Sequence, residues 1–358
     1  MQTAKFKQRN TSIEILRLVS MVLIVVHHLI GQGLGFQFYC GGGKYANVEN
    51  WTPIIIMESF CIVGVNLFLL ISGYYSIKLR TKSIIKFLFV VLGFVLFHVL
   101  VVPLYDTSIT IKHSLRSILF FFSGNTAWFV KSYFILMLST VIINPALEII
   151  SKRQLLMVLC ILLYVNVYLG FFRLWDINEN GYTVSHMIFM YIIGHALRKF
   201  DVPDMFRRLH FFSGYVGFSM ILAIVMIVCL GKISGNIEFH LLGYNNPLII
   251  LSSVSLFCCF SKFNFYSKNI NFLLSGIFGI YLFHQYHPFW SNVMIPFIRK
   301  HYETYSLSSF VFYSIGLIIL IVVLGSVINI LLNKIVHVMF EKTFVRNACV
   351  WVDGKLGL

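Results

Sequence analysis

Charge is what this chain of 358 residues is most short of: Asp, Glu, Lys and Arg make up 11% of it, and only 13 residues are acidic. Soluble domains carry about a quarter charged residues, so a water-exposed globule is excluded. Proline is scarce too. Pro53, Pro103, Pro145, Pro203, Pro247 and Pro296 stand at or near the ends of apolar runs or in loops, and Pro288 alone reads as lying well inside one. Paired Gly/Pro-broken segments and inverted repeats, frequent in secondary transporters, are missing. The cysteines at 40, 61, 160, 229, 258, 259 and 349 lack the paired spacing of a zinc or redox site and read as packing residues. Low-complexity tracts are absent. The longest loops, roughly 33–53 and 104–126, are too short to fold alone. Residues 1–358 are therefore expected to form a single integral-membrane domain.

What is present is apolar: 58% of residues are hydrophobic and the mean hydropathy is +0.84. A bilayer core about 30 Å thick takes roughly 20 apolar residues per helix. About ten such runs begin near Ile13, Ile54, Ser83, Ala127, Gln154, Val184, Phe211, Pro247, Asn271 and Ser306. They are continuous rather than alternating, which excludes a β-barrel and predicts an all-α, polytopic membrane helical bundle of about ten transmembrane helices. With the N-terminus inside, nineteen of the 28 basic residues fall on one side, among them Lys5, Lys7, Arg9, Lys78, Arg80, Lys82 and Lys86. The other side holds seven, from Lys44 to Lys300, leaving Arg17 and Lys131 within the runs. Both termini are then expected to be cytoplasmic, in a multi-pass protein of the cell membrane. The same asymmetry reads much of the net charge of +15 as topology and contact with anionic membrane lipids, with no nucleic-acid partner. The first run follows three basic residues as a signal peptide would, but an Arg inside it and two His at its end argue against cleavage.

Those residues are the ones that carry chemistry. Arg17 and His28 both sit in the first apolar run, where burial of either in lipid is costly and usually functional. Eleven steps of about 100° make three turns plus roughly 20°, so the two share one helix face about 16 Å apart along the axis. His27 falls about 80° off that face. Glu14 lies one turn before Arg17, and two readings stay open for the cation: a ligand for an anionic substrate, or a Glu14–Arg17 pair that closes the bundle.

The Arg17-x10-His28 spacing resembles the signature of the acyltransferase-3 membrane family, which O-acylates cell-surface sugars. Val63-Gly-Val-Asn-Leu-Phe-Leu-Leu-Ile-Ser-Gly-Tyr-Tyr75 is similar to that family's second-helix segment, Ala127-Trp-Phe-Val-Lys-Ser-Tyr133 to its Trp-Phe-Leu stretch, and Gly279-Ile-Tyr-Leu-Phe-His284 to its Tyr-Leu-x-His. The matches run in order along nearly the whole chain. The resemblance implies an O-acetyltransferase or close relative placed in a bacterial cytoplasmic membrane. Acyl-coenzyme A, acetyl-CoA in the simplest case, would be the donor substrate, with no permanently bound cofactor and no metal. A surface polysaccharide, exopolysaccharide or lipid-linked precursor would be the acceptor.

Acyl transfer from a thioester to a hydroxyl needs a base titrating near neutrality and something to stabilise the oxyanion. His28 suits the first task, and Glu58, near the outer end of the second run, is the candidate to orient it. Arg17 would hold the donor phosphate or pantetheine end. Ser72, Tyr74, Arg80 and Lys82 are further candidates for the donor, although the basic pair also reads as ordinary flanking charge. Asn66, Trp128, Lys131 and His284 are candidates for the acceptor, with interhelical hydrogen bonding, interfacial anchoring and snorkelling as their structural alternatives. A glycan transporter or flippase is the competing function, and an unrelated His/Asn O-acyltransferase is a third that leaves the Arg17 spacing without a role.

Overall fold

All ten apolar runs are helical, and no strand occurs among the described residues. The computed structural model describes residues 10–35, 51–101, 104, 111–119, 128–173, 180–229 and 240–357. In chain order the helices are α1 (Thr11–His28), α2 (Thr52–Cys61), α3 (Gly64–Tyr75), α4 (Thr81–Val101), α5 (Ile111–Leu119), α6 (Trp128–Ile149), α7 (Lys152–Leu163), α8 (Val184–Lys199), α9 (Val202–Met205), α10 (Arg208–Cys229), α11 (Pro247–Ser261), α12 (Lys268–Leu273), α13 (Ile277–His284), α14 (Ile295–Thr304), α15 (Leu307–Glu341) and α16 (Thr343–Leu356).

Among the described residues, seven segments are long and apolar enough to cross a membrane: Thr11–Gly33, Thr52–Tyr75, Thr81–Val101, Trp128–Ile149, Lys152–Phe172, Arg208–Cys229 and Ser308–Glu341. The expectation was about ten. The runs from Val184 and Pro247 fold as helices of 16 and 15 residues, and the run from Asn271 is broken by a 3-10 turn so that α13 has 8. Each is shorter than the roughly 20 residues a perpendicular span takes. Lys5, Lys7, Arg9, Cys40 and Lys44 lie outside the described residues. Pro145, expected at or near a run end, lies within α6, four residues before its last.

The first two spans form the middle of the bundle. Their most apolar stretches are 61% and 78% buried, against 17–28% for the other five, whose outward faces are the apolar surface a bilayer would cover. α1 starts where Asn10 accepts a hydrogen bond from the Ser12 N–H, and Glu14 in its first turn complements the helix dipole. The Thr11 N–H, otherwise an orphan donor, bonds the Phe265 carbonyl and ties the start of α1 to the turn after α11. α1 packs on α3, α13 and α11. Leu16, Ile24, Leu67, Phe129, Tyr191, Phe257 and Ile280 belong to one contiguous core that draws on nearly every long helix.

Two contacts set how closely the central helices approach. A Cβ on Gly73 would lie 1.9 Å from the Tyr191 carbonyl oxygen of α8, and one on Gly279 would lie 2.2 Å from the Gly325 carbonyl oxygen of α15. Any larger residue forces the backbones apart, the small-residue packing expected between membrane helices. Gly279 thus seats α13 deep enough for its last residue, His284, to reach α1.

Candidate active site

The C-terminal ends of α1 and α13 converge on a buried histidine cluster. α1 does not stop at His28 but loosens there into a π-type turn, Leu29–Gly33, a local widening often found at functional positions. His28 is 5% exposed and His284 fully buried. His28 Nδ1 lies 2.9 Å from His284 Nε2, and His284 Nδ1 lies 2.7 Å from the Ile280 carbonyl oxygen. That carbonyl can only accept, so His284 Nδ1 carries a proton. With both rings neutral, His284 Nε2 is then the acceptor, His28 Nδ1–H the donor, and the lone pair of His28 rests on Nε2. A buried neutral imidazole with its free lone pair in a set direction is equipped to take a proton.

The neighbouring residue does something else. His27 Nδ1 and Glu58 Oε1 form a close hydrogen-bonding contact, with Glu58 wholly buried. The expectation that Glu58 orients His28 is corrected: Glu58 holds His27, and His284, expected among the acceptor-binding residues, holds His28. One helical step is about 100°, so the two adjacent imidazoles face different partners. Their ring centroids are 5.2 Å apart. Aromatic rings wall the cluster. Tyr281 and Trp290 each lie 6.2 Å from the His28 ring, and Tyr244 lies 6.4 Å from His27. The Tyr281 hydroxyl and Trp290 Nε1 are buried donors without a hydrogen-bond partner, a costly state that a bound oxygen would relieve.

The remaining sequence candidates separate into groups. Arg17 Nη1 bonds Glu14 Oε1 at 2.5 Å, and the arginine side chain is 29% exposed. The pair exists, and the guanidinium keeps a free edge. Ser72 Oγ lies 3.2 Å from the Tyr133 hydroxyl while also bonding the Phe68 carbonyl. Tyr74 is half-buried and packs on Phe257, 5.1 Å away between centroids. Arg80 and Lys82 are exposed at the start of α4, Lys82 lying over the Phe340 ring. Asn66 is fully buried, donating to the Tyr244 carbonyl and contacting His186 Nε2, each at 2.9 Å. That network braces the turn bearing Tyr244, so Asn66 is held by protein on both sides of its amide. Trp128 packs 4.8 Å from Tyr182 and 5.9 Å from Tyr244, extending the aromatic wall. Lys131, one turn further along α6, is half-buried. No group of three or more His, Cys, Asp or Glu suited to a metal occurs among the described residues.

Helical bundle, apolar perimeter and a buried polar centre together define a multi-pass membrane protein with the makings of an acid–base site. The acyltransferase domain of the acyltransferase-3 family matches residues 10–329, nearly the whole chain, and the chain belongs to that family. It is an acyltransferase. No curated protein and no solved structure gives a significant match. Neither the fold nor the family favours the transporter alternative.

Proposed function

We propose that the protein moves an acyl group, acetyl in the simplest case, from acyl-coenzyme A on the cytoplasmic side of a cytoplasmic membrane to a hydroxyl of a cell-surface polysaccharide or its lipid-linked precursor. The observation that carries this reading is the hydrogen-bond polarity running from Ile280 through His284 to His28, which leaves His28 Nε2 as the acceptor. In the proposed step, Nε2 takes the proton of the acceptor hydroxyl as its oxygen bonds to the thioester carbonyl carbon. The tetrahedral intermediate then collapses, the C–S bond breaks, and the proton on His28 passes to the departing thiolate. The charge that builds on His28 is shared through Nδ1–H with His284. Arg17, about three turns from His28 toward the cytoplasm, holds the donor with the edge of its guanidinium that Glu14 leaves free.

The aromatic wall of Trp128, Tyr182 and Tyr244 supports a sugar acceptor, since the apolar faces of sugar rings stack on such surfaces. This reading treats residues 1–358 as one domain with both termini cytoplasmic. Proton NMR of surface glycans tests it: cells complemented with His28→Ala are expected to lack the O-acetyl signals that the wild-type chain restores, with equal amounts of protein in the membrane. Unchanged signals would remove His28 from the reaction.

A further inference from the structure

A pocket of about 240 Å3, apolar apart from a few polar side chains, lies where the start of α13 meets α4, α6 and α15. Ser83, Lys86 and Phe87 of α4 line it on one side, and Asn329 and Asn333 of α15 on the other, with Ser275 at its rim. Asn329 is 3% exposed, and its Nδ2 donates to the Gly276 carbonyl at 3.0 Å, which sets its Oδ1 as the outstanding acceptor. That oxygen and Asn333 Oδ1 are both buried without a hydrogen-bond partner. Two buried acceptor oxygens without partners are costly unless a ligand donates to them. They are four residues apart on one helix, so they face the same way with roughly 5–6 Å between their Cβ atoms.

A line of packed aromatic rings runs to the histidine cluster from the pocket. Phe87 in its wall lies 6.4 Å from Tyr133, Tyr133 lies 5.7 Å from Phe129, Phe129 lies 5.1 Å from Tyr281, and Tyr281 lies 6.2 Å from His28, all between ring centroids. Phe278, also in the wall, precedes His284 by six residues on α13, about 9 Å of helix rise. Lys82 lies one turn before Lys86, on the basic end of α4.

We propose that this pocket receives the pantetheine arm of the acyl-CoA donor, its two amide N–H groups donating to Asn329 and Asn333, with the thioester pointing up the line of rings toward His28. The inference rests on the acyl-transfer reading above. Pantetheine matches because it is a narrow, uncharged chain with two secondary amides separated by a two-carbon link, a spacing comparable with that of the two asparagines. The phosphates at its other end would lie toward Lys82 and Lys86. Ser83 and Ser275 supply further hydrogen-bonding groups along the walls.

Equilibrium binding of radiolabelled acetyl-CoA to the purified full chain in nanodiscs tests this, with S-acetylpantetheine and the single-amide thioester S-acetyl-N-acetylcysteamine as competitors. Asn333→Leu is expected to weaken acetyl-CoA binding about five- to tenfold, the cost of one lost hydrogen bond. It should also shrink the advantage of the two-amide competitor over the one-amide competitor. Ser275→Trp, a change at an exposed rim position that should fold normally, is expected to block binding. Unchanged acetyl-CoA affinity in both variants would overturn the pocket assignment while leaving acyl transfer intact. Failure of the wild-type chain to bind acetyl-CoA at all would overturn the acyl-CoA reading and the pocket with it.

Discussion

At the scale of single residues, two adjacent histidines face different partners, His28 meeting His284 and His27 meeting Glu58. The Arg17 to His28 spacing placed both on one face of the first helix, because helical periodicity converts spacing into direction. The partner of His28 was not legible, since His284 is 256 residues away and only the folded bundle brings it to 2.9 Å. Glu58 was expected to orient His28 because the two lie at comparable depth, yet depth along a helix says nothing about azimuth, and Glu58 meets His27 instead. His284→Gln should lower the acyl-transfer rate at saturating donor and alter its pH profile while leaving the donor KM near the wild-type value, because it orients the base without touching the donor. A KM effect with an unaltered pH profile would place His284 in donor binding instead. The His27–Glu58 contact carries a different expectation. Removing either partner alone leaves the other buried without its hydrogen bond, at about 1–3 kcal/mol. Replacing both with leucine should restore much of the loss, read as the thermal unfolding midpoint in detergent. Additive losses would mean that the two groups are not coupled.

At the scale of elements, the sequence was most informative where a run was long and uniformly apolar, and least so where a helix is short or broken. All ten runs were recognisable as helices from continuous hydrophobicity. The 3-10 break before α13 was not, because the Leu274-Ser-Gly276 segment carries no proline or charge to mark it. The Ser72-Gly-Tyr-Tyr segment proved to be an interface, with Gly73 against the α8 backbone. Gly73→Ala must displace α8 or α3, and we expect about 1–3 kcal/mol of destabilisation from overpacking, seen as a lower unfolding midpoint and poorer recovery from the membrane. A stable Gly73→Ala protein would show that α3 and α8 are less closely seated than described.

At the scale of the whole molecule, the last helix is fastened to the bundle by a polar contact. Asp353 Oδ1 accepts the Thr81 backbone N–H at 2.8 Å, so a carboxylate from α16 caps the start of α4. Hydrogen bonds from Thr81 hold the Asp353 carboxyl below its ordinary value of 3.8, with the Arg80 charge adding to the effect. A depressed folded-state value means that this contact stabilises fully above the ordinary carboxylate range and is lost as pH falls through the lowered value. Proteolytic cleavage within α16 should therefore rise on acidification below about pH 4, and Asp353→Asn should show raised cleavage already at neutral pH. Cleavage independent of both would mean that α16 docks by its apolar contacts alone.

The central claim is that His28 takes the proton of the acceptor hydroxyl during transfer from a thioester. Its most direct test is the rate of acyl transfer from labelled acetyl-CoA to surface glycan in membranes carrying equal amounts of wild-type or His28→Ala protein. The account predicts a loss of about 10²-fold or more in the variant, with acetyl-CoA binding retained. A rate within a few fold of wild type would contradict it.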